Sequence, residues 1–237
     1  MTQRIVIHLL PIEIFLLCVG AGWLAILGVR GLQLASPAYA PSAQLAQAAA
    51  DVLAQPGAAG APAPATTLSP IFTPEVQHWA PQIEAWAALF QIDPNLVATV
   101  MQIESCGAPG VVSGSGAQGL FQVMPFHFTA GENMQDPDTN AARGLAYLAL
   151  GLQRSAGNVG LALAGYNGGH SMIGKDSSLW PAQTQRYWYW GTGIYEEAAS
   201  GAASSGRLQE WLNARGASLC RTADAQVGLA PAAAQYA

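Results

Sequence analysis

The hydrophobic and polar positions divide the chain into regions with different patterns, and the first region is almost wholly apolar. Residues 5–29 are apolar with three interruptions, the last of which is Glu13. A buried core helix would carry a polar face, and no such face is present after Glu13. The run also exceeds the roughly 20 residues that cross a bilayer. We therefore predict a single N-terminal hydrophobic helix, a membrane anchor or a signal segment, within residues 1–34.

An uncleaved anchor is favoured over a cleaved signal. Ala38-Tyr39-Ala40 has the small-x-small pattern of a cleavage site, but Pro41 follows it directly and disfavours cleavage there. Cys18 follows two leucines, which is not typical of a lipoprotein cysteine. Either interpretation predicts that the rest of the chain is exported.

Two further regions have no hydrophobic periodicity. Residues 35–70 are rich in Ala, Pro, Gln, Gly and Ser and contain a single acid, Asp51. Such a composition buries too little apolar surface to offset the entropy of ordering, although Ala43 to Gln55 could form a transient helix. We predict a disordered Ala/Pro-rich linker over 35–70 and a flexible tail over 222–237.

Residues 71–221 carry the helical period of three to four residues, so the fold class is predicted as mostly α. Asp93-Pro94 is a strong helix start, and the helix that follows has one apolar face ending at Glu104. Five other helices are predicted. One begins near Pro81 and another at Asp138 or Thr139, and the remaining three cover Gly160 to Tyr166, Pro181 to Ala199 and Arg207 to Ala214. The region has about the length of one domain.

The composition excludes several classes of function. Only 10% of the 237 residues are charged, the formal net charge is -5, and no run of Lys or Arg is present, which excludes an electrostatic nucleic-acid binder. The glycines from Gly114 to Gly119 are followed by no lysine, so they do not form a phosphate loop. His78 and His170 show no metal-ligand spacing, and His127 is interpreted as a core histidine. We expect neither a metal nor a cofactor.

Glu104 is the strongest candidate for a catalytic group among the few acids of the predicted domain. It ends an apolar helix, where partial burial and the negative end of the helix dipole both raise a carboxyl pKa. A raised pKa is what a general acid requires. A surface glutamate in the last helical turn is the alternative that this local pattern leaves open.

Several short motifs follow Glu104 in a defined order. They are Glu104-Ser105, Gly119-Leu120-Phe121-Gln122 leading to Met124-Pro125, Asp136-Pro137-Asp138-Thr139-Asn140, Ala164-Gly165-Tyr166-Asn167-Gly168, and Tyr187. In this order and spacing they resemble the soluble lytic transglycosylase family, the goose-lysozyme-like enzymes that act on peptidoglycan. The resemblance implies a lysozyme-like helical catalytic domain with a groove for glycan strands.

The resemblance implies functional roles for the residues of this chain that match the motifs of the family. Glu104 corresponds to the catalytic acid, and the substrate-binding residues implied are Ser113, Gln122, Tyr166, Asn167 and Tyr187. Phe121 stands where methionine is usual, and Gly165 is inserted before Tyr166. Ala108 and Gly110 replace residues that are often asparagine, which could loosen the loop after Glu104.

The family's reaction needs one carboxyl group, whereas ordinary glycosidases use two. The resemblance implies cleavage of the β-1,4 bond between N-acetylmuramic acid and N-acetylglucosamine, with Glu104 as acid and then base, leaving 1,6-anhydro ends. One alternative is a lysozyme-like hydrolase in which Glu132 or Asp136 positions water. Another is a non-catalytic peptidoglycan-binding module.

Cys106 and Cys220 are the only cysteines outside the apolar N-terminal segment. In an exported domain two thiols pair more often than they stay free, so a disulfide is predicted, with two independent buried thiols as the alternative. Catalysis by Cys106 as a nucleophile is disfavoured, because no partner histidine is evident. Trp188 and Trp190 are interpreted as core residues at helical spacing rather than sugar platforms.

The predicted location is the bacterial cell envelope. The chain would be anchored to the cytoplasmic membrane through the N-terminal helix with the catalytic domain outside, or secreted if that segment is cleaved. Peptidoglycan glycan strands are the expected partner, and a monomer is expected.

Overall fold

The computed structural model describes residues 39–54 and 67–229, and these are mostly helical, as predicted. The helices are α1 (Ala43–Leu53), α2 (Pro74–Gln77), α3 (Ala80–Phe90), α4 (Pro94–Glu104), α5 (Pro137–Arg154), α6 (Val159–Gly168), α7 (Ala182–Ala199), α8 (Gly206–Trp211) and α9 (Ala217–Val227), with a kink at Leu212–Gly216 between α8 and α9. Within the described residues no strand is formed, and pairing is limited to two isolated bridges around Gln118.

None of the helices in the described part of the chain is long and apolar enough to span a bilayer. The predicted anchor or signal over residues 1–34 lies outside the described residues, as do residues 55–66 of the predicted linker.

Helix α4 is the central helix of the core, and its start explains its position. The Asp93 side chain accepts a hydrogen bond from the Asn95 amide at 2.8 Å, and Pro94 occupies the first turn, where its missing N–H costs nothing. Leu96, Val97 and the following apolar residues of α4 are buried. The helix therefore runs through the core and delivers its last residue, Glu104, to the surface of a cleft.

The segment around α1 differs from the predicted linker, because it is folded onto the domain. Leu45 is 0% exposed, and α1 packs on α5 and α3. Asp138 accepts hydrogen bonds from the Tyr39 hydroxyl, from the Ser42 amide at 2.8 Å and from Trp86 Nε1 at 3.0 Å. Two buried positions four residues apart are enough to hold α1 on the domain, because α3 and α5 already form the surface on which it packs.

The same contacts correct the expected cap of α5. The side chain of Asp136, and not that of Asp138 or Thr139, caps the helix by accepting the Thr139 amide at 2.9 Å. Asp138 lies in the first turn, where its charge suits the helix dipole. Its carboxylate is free to bind the entry of α1.

Leu45→Ala is expected to lower the free energy of unfolding by about 3 kcal/mol, because it leaves a cavity where α1 meets the core. Gln47→Ala, on the exposed face of the same helix, serves as the control and should change stability by less than about 0.5 kcal/mol. Urea unfolding of both variants measures the difference. Equal stabilities would mean that α1 is only a tether.

The C-terminal boundary also differs from the predicted one at residue 221. Helix α9 continues to Val227, with Ala223 and Asp224 buried, so residues 222–227 belong to the domain rather than to a flexible tail. Cys220 on this helix forms a disulfide with Cys106, which lies two residues after Glu104. The covalent link holds the C-terminal segment beside the end of α4.

Candidate active site

Glu104 lies at the C-terminal end of α4, half-buried in the wall of a cleft of about 800 Å³. Burial raises the pKa of its carboxyl from 4.5 to about 8. The buried Tyr187 hydroxyl lies close enough to oppose this rise in part. Glu104 is therefore mostly protonated at neutral pH, which is the state that a general acid needs.

Ser105 joins the end of α4 to the turn Gly119-Leu120-Phe121-Gln122. Its buried hydroxyl donates to the Leu120 carbonyl at 2.7 Å. The turn is held from the other side by Asn140, whose Oδ1 accepts the Phe121 amide at 2.8 Å and whose Nδ2 donates to the Gln118 carbonyl. These bonds explain why a serine after the acid and an asparagine at the start of α5 accompany this turn.

Gly119 is required at the tightest point of this turn. Its φ is +71°, and a Cβ there would lie 2.6 Å from Asn140 Nδ2. Only glycine both adopts this backbone readily and leaves room for the amide.

Tyr166 and Gln122 complete the wall next to Glu104. The Tyr166 hydroxyl donates to the Phe121 carbonyl at 2.7 Å, and its pKa is raised well above 10 by burial and then by the nearby Glu104 carboxyl. Gln122 has φ +45°, and its Nε2 donates to the carbonyls of Val111 and Gly119. Both side chains are fixed by backbone partners and need little reorganisation to line a groove.

Asn167 connects the Glu104 cleft to a second cleft of about 310 Å³, because it lines both. Thr184 donates to Asn167 Oδ1 at 3.1 Å, which leaves the amide nitrogen available to a ligand. The second cleft is lined by Gln122, Tyr166 and the exposed ring of Phe126. The two clefts together form a groove that passes the acid.

Five of the six residues carried over from the family lie along this groove: Glu104, Gln122, Tyr166, Asn167 and Tyr187. Ser113 does not. Its hydroxyl accepts the Ala117 amide at 3.0 Å within a separate turn, and it lines neither cleft.

Several groove residues were not identified from the sequence. Trp190, expected in the core, lines the Glu104 cleft, while Trp188 is 37% exposed. His127, also expected in the core, lines the smaller cleft beside Phe126. Arg186, Trp211 and Arg215 line the larger cleft. The adjacent aromatics of α7 were a visible signal, whereas nothing in the local sequence marks Arg215.

No second acid lines either cleft among the described residues. Glu132 is paired with Arg143, and Asp136 caps α5. The one group of potential metal ligands found in residues 39–54 and 67–229 is Glu75 with Cys106 and Cys220. Both sulfur atoms form the disulfide and so do not act as thiolate ligands. Among the described residues, Glu104 is thus the one carboxyl group that lines this groove.

Comparison with known proteins supports the assignment from motifs. Residues 81–188 match the model of the transglycosylase SLT domain. Similar curated proteins include the transglycosylase of Enterobacteria phage PRD1, 41% identical over 114 residues, which are 46% of this chain and 40% of that protein. The endo-type membrane-bound lytic murein transglycosylase A of Klebsiella pneumoniae is 33% identical over 102 residues, 35% of this chain and 49% of the relative.

A more distant similarity is to the membrane-bound lytic murein transglycosylase C of Serratia proteamaculans, 29% identical over 117 residues, which are 40% of this chain and 32% of that protein. The chain spans less than half the length of each of these relatives. The matched part contains α3 to α6 and the first turns of α7. It therefore includes every residue of the groove except those on the later turns of α7 and in the C-terminal segment.

Proposed function

We propose that this chain, whose residues 81–188 match the model of the transglycosylase SLT domain, is a peptidoglycan lytic transglycosylase that cleaves the β-1,4 bond between N-acetylmuramic acid and N-acetylglucosamine. The observation that carries the proposal is the position of Glu104, whose pKa is raised by burial to about 8, in a groove that no second acid of the described residues lines. The relatives named as lytic murein transglycosylases support the same chemistry.

In the first step Glu104 donates its proton to the glycosidic oxygen, and the bond from that oxygen to C1 of the muramyl sugar breaks. Positive charge develops at C1, and the carboxylate formed on Glu104 faces it. In the second step the C6 hydroxyl of the same sugar attacks C1, and its proton passes to Glu104. A 1,6-anhydro ring results, water is not consumed, and the acid is restored.

The neighbouring polar groups support this cycle. The Tyr187 hydroxyl stabilises the carboxylate between the two steps, since it already lowers the pKa of Glu104. Asn167 Nδ2 binds an acetamido or hydroxyl oxygen of the sugar, which is supported by the place of Asn167 in the cleft lining and by the contact of its Oδ1 with Thr184. Tyr166 keeps the Gly119–Gln122 turn in position through Phe121.

Mass analysis of the products from purified peptidoglycan tests the reaction type. A lytic transglycosylase releases fragments that are lighter by one water than those of a hydrolase and lack a new reducing end. Reducing ends would instead support the lysozyme-like hydrolase. Binding of strands without any cleavage by the intact protein would support a non-catalytic module.

The pH dependence of turnover follows from the raised pKa of Glu104. Because the protonated carboxyl is the reactive form, activity should be highest below pH 8 and fall about tenfold per unit well above it. Initial rates on soluble glycan strands between pH 5 and pH 10 measure this dependence. A basic limb with a midpoint near pH 4.5 would show that Glu104 is not held protonated.

We further propose that the protein acts in the cell envelope, held at the membrane by residues 1–34. The apolar run in this segment supports the anchor, and two of the relatives are named as membrane-bound. Extraction of the full chain from a membrane fraction by detergent, but not by salt, would test the anchor. Monomeric mass in detergent would test the expected subunit state.

A further inference from the structure

The Glu104 cleft holds a concentration of positive charge. Arg186 on α7 and Arg215 in the kink at Leu212–Gly216 both line it, and neither side chain makes an ion pair or hydrogen bond within the described residues. The whole chain has only nine Lys and Arg residues and a net charge of -5. Of the acids in residues 39–54 and 67–229, Glu104 alone lines this cleft, and with a pKa of about 8 it is mostly uncharged at neutral pH. The cleft is therefore cationic in an acidic protein.

Arg215 is held in this cleft by an unusual backbone. Its φ is 132° and its ψ is -11°, a conformation that residues with a Cβ rarely adopt. The next residue, Gly216, lies against the Trp211 ring, which a Cβ at that position would overlap. Strain that is kept in the wall of a functional cleft points to a role for the residue that bears it.

The C-terminal wall of the cleft lies outside the part of the chain that matches the SLT domain. Trp211 and Arg215 follow residue 188, where the match ends. The disulfide between Cys106 and Cys220 fixes this segment to the loop after Glu104. Arg186 therefore belongs to the matched part, whereas Arg215 comes from the segment beyond it, which a covalent bond holds beside the acid.

We propose that Arg186 and Arg215 bind a carboxylate of the peptidoglycan strand and so determine which strands the groove accepts. This inference rests on the function proposed above. A guanidinium group binds carboxylates through paired, charge-assisted hydrogen bonds. Because Glu104 beside these two arginines is mostly uncharged, it would not repel a carboxylate bound there. The carboxylate can come from a stem peptide or from the lactyl group of a muramyl sugar that lacks its peptide.

Binding measurements on the full chain test the proposal. The Glu104→Gln variant prevents turnover, and calorimetry then measures its affinity for peptide-bearing strands, for peptide-free strands and for uncharged N-acetylglucosamine oligomers. Adding Arg186→Gln or Arg215→Gln should weaken binding of the carboxylate-bearing ligand about tenfold and of the uncharged oligomers less than twofold. Arg221→Gln, an exposed arginine on α9 outside the cleft, is the charge-matched control and should leave the ratio unchanged.

The strand type that shows the loss identifies the source of the carboxylate. Equal losses on charged and uncharged ligands, or no loss on either strand, would overturn the proposal, and so would a failure of the protein to bind any strand. Arg215→Gly guards against misfolding: it removes the guanidinium group and the strain together, and should raise the unfolding temperature while still losing the preference for charged strands. Cleavage of strands with an unaltered preference in the arginine variants would refute this inference alone, whereas strand binding by the wild type without cleavage would refute only the proposed function.

Discussion

Replacing Glu104 with glutamine is expected to lower the turnover of glycan strands by about a thousandfold or more, because the amide can neither donate the proton nor take it back. Glutamine has nearly the same shape, so the groove and its affinity for strands should remain. Release of anhydro-ended fragments from peptidoglycan measures the loss. Glu196→Gln, which neutralises an exposed acid on α7, is the matched control and should retain wild-type rates.

The same variant should be more stable than the wild type at alkaline pH. The folded-state pKa of Glu104 is about 8 against 4.5 in the unfolded chain, so the folded protein binds more protons between these values. The contribution of Glu104 to stability is therefore lost progressively as the pH rises from about 4.5 to about 8. Glutamine removes this loss, with an expected gain of about 4 kcal/mol at pH 8. Residual turnover above a few per cent, or an unfolded variant, would contradict the assignment of Glu104 as the acid.

Removing the Cys106–Cys220 disulfide is expected to lower the free energy of unfolding by about 4–5 kcal/mol, since the bond closes a separation of 114 residues. Unfolding of wild type and of the double variant Cys106→Ala, Cys220→Ala in guanidinium, with and without reductant, measures this. Reductant should destabilise the wild type and leave the variant unaffected. A wild type whose stability is unchanged by reductant, although the thiols of both residues have become titratable, would contradict the expected contribution.

Removing the disulfide should also lower activity, because it changes the position of the cleft wall that carries Arg215. Because the bond fixes α9 beside the loop that follows Glu104, its loss frees the turn that carries Arg215 from its place in the cleft. The KM for strands should then rise more than kcat falls at temperatures where the variant stays folded. A fall in kcat alone would place the effect on the acid itself.

The sequence was most informative where the signals were local. Asp93-Pro94 and the apolar face behind it predicted α4 within a residue, because capping and periodicity are properties of neighbouring residues. The position of Glu104 at the end of this helix followed directly. The motifs then predicted four further residues that line the groove, Gln122, Tyr166, Asn167 and Tyr187. The structure shows why two of the motifs occur together: Ser105 and Asn140 bind the same turn.

The differences arise where a segment depends on surfaces made elsewhere. Leu45 is one apolar residue in an Ala- and Gln-rich stretch, and its burial requires α3 and α5 to be in place. Arg215 faces the cleft only because the chain turns at Trp211 and is tied back by Cys220. Ser113 differs in the opposite direction. The family motif assigned it to the binding site, but the turn that contains it keeps its side chain away from both clefts.

The disulfide has a topological consequence beyond its energy. Cys106 and Cys220 make a covalent ring of the chain between them, and this ring contains the Gly119–Gln122 turn, α5, α6 and α7. A protease that cuts one peptide bond in an exposed loop of the ring, such as the stretch around Thr129 to Gly131, opens the ring but releases no fragment. The acid and both walls of its groove would stay on a single covalently joined molecule after such a cut.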